Sequence, residues 1–324
     1  MPILGRSPEA SGLSPNIVAL GCVSMLTAMS SAMIYGLLPV FMVTVLGISI
    51  AFVGVIEGAA EAANSLVKIL SGATSDWIGR RKPVVAFGYT LSAIVKTIFP
   101  VAGSASTVFV ARILDRLGKG IRDAPRDAFL ADLTVSELRG RGFGLRLALA
   151  VFGFVMGPLA AIGLMKSSGD DFRLVFWVAL VPAYASLVVL FATVKELPID
   201  NDDGHPPLQI RSGSILALPA AFWWVIAIAS LLSLARFSQA FLVLKARDVG
   251  VDAADVPIVL AVMYLVFSTV AYPFGLLADR LDRRLQLGLG TAVLFGADVI
   301  LADAGNIWMT VAMGIARPWI ALNE

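Results

Sequence analysis

Long apolar stretches alternate with short connections along most of the chain. A helix needs roughly 20 mostly apolar residues to cross a bilayer, and many stretches are near or above that length. The predicted spans are residues 16–40, 48–71, 84–103, 106–124, 143–165, 173–194, 216–244, 255–277, 285–303 and 306–322. The pattern predicts an all-α polytopic membrane protein with about 10 transmembrane helices.

Composition supports this fold class and polar segments divide the chain. It is 58% hydrophobic and 15% charged, whereas a typical soluble domain is about 25% charged. Residues 195–214 are rich in Asp and Pro, which is typical of a linker. The expected units are an N-terminal tail (1–15), a six-helix bundle (16–194), this linker (195–214) and an incomplete second bundle of about four helices (215–324).

Basic residues fall on alternate connections. They are Arg80, Arg81, Lys82, Arg122, Arg126, Arg139, Arg141, Arg280, Arg283 and Arg284. The connections at 41–47 and 100–106 carry no charge. By the positive-inside rule, the basic connections, the N-terminal tail and the linker are expected in the cytoplasm.

A short sequence motif occurs twice, each time at the end of an apolar stretch. Gly72, Asp76 and the pair Arg80-Arg81 form the first copy; Gly275, Asp279 and the pair Arg283-Arg284 form the second at the same offsets. Duplication predicts two pseudo-repeated halves that can rock against each other, as in many secondary transporters. Six spans in each half would make twelve, so the second half has about two fewer than expected.

One polar stripe lies on the second span. Glu57, Glu61, Asn64 and Lys68 share a helix face, and ionisable groups at this depth usually face the bundle interior or water. A buried carboxylic acid favours its neutral form, so Glu57 and Glu61 are candidate proton carriers. Lys68 is the candidate neutralising partner of Glu61. A static ion pair that holds the second span is the alternative.

The third and fourth spans also carry charges. Arg112 and Arg116 are one turn apart and need acidic partners. Arg116 is expected to be structural, near the cytoplasmic surface. Lys96 lies deep in the third span, where snorkelling outward and a role in a binding cavity are both open.

Three motifs indicate a family. Gly72, Asp76, Gly79, Arg80 and Arg81 fill the loop pattern Gly-x-x-x-Asp-Arg/Lys-x-Gly-Arg-Arg/Lys, except that Trp77 stands where a basic residue is usual. The run from Arg112 to Gly120 is similar to an Arg-containing fourth-span motif, and Gly153-x-x-x-Gly157-Pro158 is similar to a fifth-span antiporter signature. The chain resembles the major facilitator superfamily (MFS), in particular a bacterial subgroup whose substrates are mostly unassigned.

The resemblance implies a gate at the duplicated loops. Asp76 and Arg80 are its expected members in the first half, with Asp123 and Asp127 as candidate partners of Arg80. The residues expected in the second half are Gly275, Asp279, Arg280 and Arg283. Asp76 can accept from a helix N-terminus, and such a latch has two discrete arrangements. Arg81 and Lys82 are interpreted more simply as charges that set topology.

Other roles follow from the resemblance and from residue type. The resemblance gives Arg112 a part in proton coupling, with Asp115 as its local modulator. Gly153 and Gly157 allow a neighbouring helix to approach closely, and Pro158 bends the fifth span. The residues that are candidates to line a central cavity are Tyr35, Asn64, Lys96, Arg236, Gln239 and Tyr264.

Several functions are excluded by residue type. The single Cys22 cannot form an internal disulfide, and His205 has neither a second His nor a Cys beside it for a catalytic triad or a metal site. The basic clusters follow topology and not a nucleic-acid surface. We therefore expect a cofactor-free, monomeric transporter of the bacterial inner membrane that works by alternating access. Proton-coupled export of a small molecule is the leading prediction; proton-coupled uptake and a truncated remnant that does not transport are the alternatives.

Overall fold

The computed structural model describes residues 14–134, 138–195, 223–224 and 238–278, with side chains to residue 269, and the single positions 288, 292, 295, 296 and 299. All regular elements within these residues are helices. They are α1 (Pro15–Thr44), α2 (Ile50–Ile78), α3 (Arg81–Lys96), α4 (Ile98–Val101), α5 (Ala105–Asp132), α6 (Arg139–Ser168), α7 (Phe172–Val178), α8 (Leu180–Thr193), α9 (Gln239–Asp248) and α10 (Ile258–Ala278).

Hydroxyl caps and one glycine explain why the connections are short. Ser49 and Ser104 precede α2 and α5, and each side chain accepts from a backbone N–H in the first turn. Such caps satisfy donors that have no partner inside the helix. Gly79 follows α2 with a φ of 67°, the left-handed conformation that suits a helix C-terminus. The chain can therefore reverse within a few residues.

Each of the six spans predicted in the first half falls on a described helix or pair of helices. Five of these stretches are long and apolar enough to cross a membrane, and the charged α5 is not one of them. The third span is interrupted at Thr97 between α3 and α4, and the sixth at Ala179 between α7 and α8. The fourth span, α5, continues to Asp132, beyond the predicted end at 124. The spans predicted at 285–303 and 306–322, and most of 216–244, lie outside the described residues.

Helices α2 and α5 run parallel and in register. Arg112 on α5 lies 55 residues after its partner Glu57 on α2. Further along the pair, Ser71 Oγ donates to the carbonyl of Gly120 at 2.8 Å. A Cβ at Gly120 would lie 2.6 Å from the carbonyl oxygen of Asn64, so glycine is needed for this close approach. The register brings the charged faces of the two helices together.

The first half is held by an apolar core around α1. Phe41 packs edge-on against Phe176, with ring centroids 5.4 Å apart, and Phe99 is fully buried in the same cluster. The other side of α1 packs against α6, where glycines replace larger side chains. This rigid frame fixes the positions of the polar residues described below.

The described parts of the two halves are in contact near one end of the molecule. We call the end with Gly79 and Arg139 the basic end, and the end with the connections 45–49 and 102–104 the distal end. Toward the distal end, a Cβ at Gly36 of α1 would lie 3.3 Å from Pro257 Cβ, and α6 is tied to the same connection by an ion pair.

Candidate functional site

A bidentate ion pair lies at the centre of the α2–α5 interface. Arg112 Nε donates to Glu57 Oε1 at 2.7 Å, and Arg112 Nη2 donates to Glu57 Oε2 at 2.8 Å. Both side chains are buried. Paired donors in this fork geometry make the strongest kind of side-chain hydrogen bond. A buried charge that loses its partner costs about 3–5 kcal/mol, so the protonation state of Glu57 matters to the whole interface.

A second Glu–Arg pair follows one turn later. Arg116 Nη1 lies 3.6 Å from Glu61 Oε2, and Asn64 Nδ2 donates to Glu61 Oε1 at 2.9 Å. The prediction that Lys68 neutralises Glu61 is wrong, because the parallel register places Arg116 opposite Glu61 while Lys68 lies two turns further along α2. Arg116 is accordingly part of the site and not only a surface residue. The Glu61 side chain is 55% exposed, unlike that of Glu57.

Tyr35 and Asp115 complete the surroundings of Arg112. The Tyr35 hydroxyl on α1 donates to Asp115 Oδ2. The Arg112 guanidinium lies over the Tyr35 ring, 3.9 Å from its centroid, a favourable cation–π contact. Arg112 Nη1 is 4.0 Å from Asp115 Oδ2 and forms no hydrogen bond. Asp115 is therefore placed as a second acidic partner for Arg112.

Lys96 is buried and does not snorkel. Its side chain is 1% exposed, and Nζ donates to Ser30 Oγ at 3.0 Å and Ser31 Oγ at 2.9 Å on α1. These bonds join α3 to α1. The sequence interpretation missed Ser30 and Ser31, although two adjacent hydroxyls in an apolar span were a usable signal.

Arg122 was also missed as a site residue. Its Nη1 donates to Ser92 Oγ at 2.7 Å, and its guanidinium lies 4.6 Å from the ring centroid of Tyr89. Ser92 in turn donates to the backbone carbonyl of Asp115 at 3.2 Å. A Cβ at Gly88 would lie 2.7 Å from the Gly118 carbonyl oxygen, so glycines permit this α3–α5 approach. Arg122 is thereby linked to the backbone at Asp115.

Arg81 is the centre of the motif at the basic end. Its Nη1 donates to Asp76 Oδ1 at 2.6 Å and to Ser75 Oγ at 3.2 Å, and its Nε donates to Asp132. The interpretation of Arg81 as a charge that only sets topology is wrong. Because α3 begins at Arg81, the side chain lies between the end of α2 and the end of α5.

An acidic residue at the end of α5 joins this cluster. Asp132, the last residue of the helix, is a partner of Arg81 and was not predicted. Asp123 and Asp127, the candidate partners of Arg80, each form an ion pair with Arg126 at 3.0 Å. The second-half copy can be followed only to Gly275, in the backbone of α10. Asp279, Arg280 and Arg283 lie outside the described residues, as does Arg236.

The glycines of the fifth-span signature face α1. A Cβ at Gly153 would collide with the carbonyl oxygen of Met25, and one at Gly157 with that of Met29. Pro158 lies inside α6, which continues without a break from Arg139 to Ser168. The signature thus serves close α1–α6 packing in this conformation.

Polar and aromatic residues also connect the two halves. The Tyr264 hydroxyl on α10 donates to Gln239 Oε1 on α9 at 3.0 Å, and its ring stacks on Phe154 of α6 at 4.7 Å. Ser238 Oγ donates to Glu57 Oε2 at 3.1 Å. Ser238 was not predicted, because the sequence pattern places it inside the continuous span 216–244.

Comparison with known proteins places this geometry in a family. The family model of the Major Facilitator Superfamily matches residues 20–321. An uncharacterised MFS-type transporter of Methanocaldococcus jannaschii is 30% identical over 96% of this chain and 79% of its own length. The multidrug resistance protein MdtH of Cronobacter sakazakii is 26% identical over 82% of this chain, and the match spans 65% of that protein's length.

A solved structure agrees in fold. The match to the crystal structure of the nucleoside transporter NupG covers 94% of this chain and 79% of the NupG chain, with a TM-score of 0.77 and 12% sequence identity. At that identity the likeness concerns the fold and not the substrate. With the family match over most of its length, the chain belongs to the Major Facilitator Superfamily of multi-pass membrane transporters.

Proposed function

We propose that this chain is a proton-coupled exporter of a small molecule that works by alternating access. The observation that carries the proposal is the buried Glu57–Arg112 pair between α2 and α5. A carboxylate at bilayer depth is costly and is usually functional. Here the negative charge of Glu57 is paired with the guanidinium of Arg112, which lies 4.0 Å from a second carboxylate, that of Asp115.

The chemistry is an exchange of partners at Arg112. While Glu57 is ionised, Arg112 binds it through two hydrogen bonds. When a proton binds Glu57, the Glu57 side chain loses the negative charge that attracts Arg112. Arg112 is then attracted to the carboxylate of Asp115, 4.0 Å away. Tyr35 already donates to Asp115 and contacts the guanidinium face, so this exchange shifts α1, α2 and α5 together.

Glu61 supplies an exposed step on the proton path. It lies one turn from Glu57 and is more exposed, while Arg116 and Asn64 hold its carboxylate. Glu61 lies on the basic side of Glu57, so a proton released from Glu57 can pass to Glu61 and then to water at the basic end. The two glutamates therefore form a short exit route from the buried pair.

Contact between the halves at the distal end supports alternating access. The positive-inside rule assigns the basic end to the cytoplasm, so the distal end faces the other side of the membrane. In this proposal the distal contact closes that side, and Asp76 and Arg81 belong to the gate on the cytoplasmic side. We place the protein as a monomer in the bacterial inner membrane, with its N-terminus in the cytoplasm.

Export is favoured over uptake by two observations. The relative from Cronobacter is named as a multidrug resistance protein, and the fifth-span signature at Gly153, Gly157 and Pro158 is similar to that of antiporters. Uptake would use the same ion pair, with protons and substrate moving in the same direction. The direction of proton movement therefore separates the two.

The test measures proton movement in energised inverted membrane vesicles. Lipophilic cations and other small compounds are added to vesicles that carry the chain, E57Q, or E196Q as a matched substitution in the predicted linker. We expect compound-dependent proton efflux from the vesicle lumen for the unchanged chain and E196Q, and none for E57Q. Equal responses from E57Q and E196Q would contradict the role of Glu57. Proton movement in the opposite direction would indicate uptake.

A further inference from the structure

Glu57 has a third partner, and that partner belongs to the other half. Ser238 Oγ donates to Glu57 Oε2 at 3.1 Å across 181 residues of sequence. We propose that Ser238 is a positioning residue through which the second half responds to the charge of Glu57, so that the distal contact between the halves is strong only when Glu57 is ionised. This inference rests on the proposed function. It adds the residue Ser238 and states that ionised Glu57 strengthens the distal contact.

The cap of α9 fixes the direction of the Ser238 hydroxyl. Ser238 precedes α9, and its Oγ accepts from the backbone N–H of Ala240 at 3.3 Å. A serine hydroxyl has one hydrogen to donate. With an oxygen lone pair used by the helix, that hydrogen goes to Glu57. Both oxygens of Glu57 are then engaged, Oε1 by Arg112 and Oε2 by Arg112 and Ser238.

The charged groups around Glu57 all belong to the first half in the described residues. Arg112 and Arg116 approach from α5 and Glu61 follows on α2, while Tyr35 of α1 acts through Arg112. From α9, an uncharged hydroxyl reaches the carboxylate. The nearby contact between Phe241 and Gly54 is apolar and does not depend on protonation. The Ser238 bond is thus the part of this contact that senses charge.

Proton binding to Glu57 weakens the hydrogen bond that Ser238 donates to it. Hydrogen bonds to an ionised acceptor are roughly twice as strong as those between neutral groups. Ionised Glu57 therefore favours halves that are closed at the distal end, and protonated Glu57 leaves them free to separate there. This order fits a cycle in which a proton is taken up from the distal side and released on the basic side.

Three substitutions separate charge sensing from helix capping. S238T keeps both the donor and the cap. S238G removes the donor, but glycine is nearly as good a cap as serine. S238D keeps a cap acceptor, removes the donor and places a negative charge next to Glu57. A residue that only caps α9 tolerates Asp, whereas one that donates to Glu57 does not.

The readout is the distance between the halves at the distal end, measured by pulsed electron spin resonance. Spin labels are attached to V101C and D252C, two exposed distal positions, in a C22S background. Each variant is measured in lipid nanodiscs at high and low pH, beside E57Q. Size-exclusion profiles confirm that each variant is folded, and S238T serves as the conservative control.

We expect the unchanged chain and S238T to shift from distal-closed toward distal-open as the pH falls. At high pH, S238G should shift the closed-to-open ratio about tenfold toward open, the size of a hydrogen bond to a charged group; at low pH the shift caused by S238G should be several-fold smaller, because only a bond between neutral groups is lost. S238D should be the most open at high pH. Identical pH responses of S238G, S238D and the unchanged chain would overturn the role of Ser238.

The same data distinguish this inference from the proposed function. If E57Q abolishes the pH response but the Ser238 variants do not alter it, Glu57 remains the coupling group and only the role of Ser238 fails. If the unchanged chain shows no pH response and E57Q resembles it, both the inference and proton coupling through Glu57 are overturned.

Discussion

Lys166 Nζ lies 2.7 Å from Asp255 Oδ1, and this ion pair joins the last turn of α6 to the connection between α9 and α10. The pair connects the two halves, whereas the bonds of Arg81 at the basic end all lie within the first half. Its side chains are partly exposed, so its strength is modest.

We predict that K166D moves the distal contact toward the open state by roughly 1.5- to 5-fold, the equivalent of about 0.2–1 kcal/mol for an exposed pair. The double variant K166D/D255K should restore the original distance distribution, since the charges are exchanged and not removed. Spin-label distances at the distal end provide the measurement. A double variant as open as K166D would show that the pair does not hold the halves.

The Glu57–Arg112 pair predicts different outcomes for stability and transport. E57L and R112M should each destabilise the protein by about 3–5 kcal/mol, because each leaves a buried charge without its partner. The double variant E57L/R112M should recover much of the thermal stability while proton coupling stays absent. Melting curves in detergent and vesicle assays test this. Recovered coupling in the double variant would remove the pair from the mechanism.

Arg81 should matter more than its neighbour Lys82. R81A removes the hydrogen bonds to Ser75, Asp76 and Asp132, so we expect a loss of about 1 kcal/mol, limited by the exposure of the carboxylates. K82A is the matched control at an adjacent basic position and should melt at the temperature of the unchanged chain. Equal melting temperatures for R81A and K82A would indicate that Arg81 only sets the topology.

Two glycines of α6 make a matched pair for helix packing. A Cβ at Gly153 would collide with the backbone of α1, whereas nothing lies within 4 Å of one at Gly163. G153A should therefore cost about 1–3 kcal/mol through overpacking, while G163A should be neutral or slightly stabilising because alanine favours helix. Thermal melting in the same detergent decides this. A neutral G153A would mean that α1 and α6 are not in close contact.

The sequence predicted the helices and the family, but not the pairing within the site. Apolar length defines a span without reference to other helices, so the ends of α1 and α6 were predicted to within about four residues. The polar residues at the end of α2 carry that helix beyond its predicted end at 71 to Ile78. Partners depend on how two helices are aligned. The parallel register of α2 and α5 places Arg116 opposite Glu61. The sequence of α2 taken alone contains only Lys68 as a basic partner for Glu61.

The same limit explains the error at the basic end. The motif gives residue types at fixed offsets, but the start of α3 decides which of Arg80 and Arg81 lies against α2 and α5. Similarly, Ser238 lies inside the predicted span 216–244, whereas in the structure it caps α9. Its second bond, to Glu57, depends on contact between the halves, which no local pattern reports.

The central claim is that Glu57 changes its protonation state as the protein changes conformation. Infrared difference spectroscopy on the reconstituted protein, recorded between high and low pH, detects the carbonyl stretch of a protonated carboxylic acid directly. We predict a band that appears at low pH in the unchanged chain and in E196Q, and that is missing in E57Q. The same band at full intensity in E57Q would contradict the account.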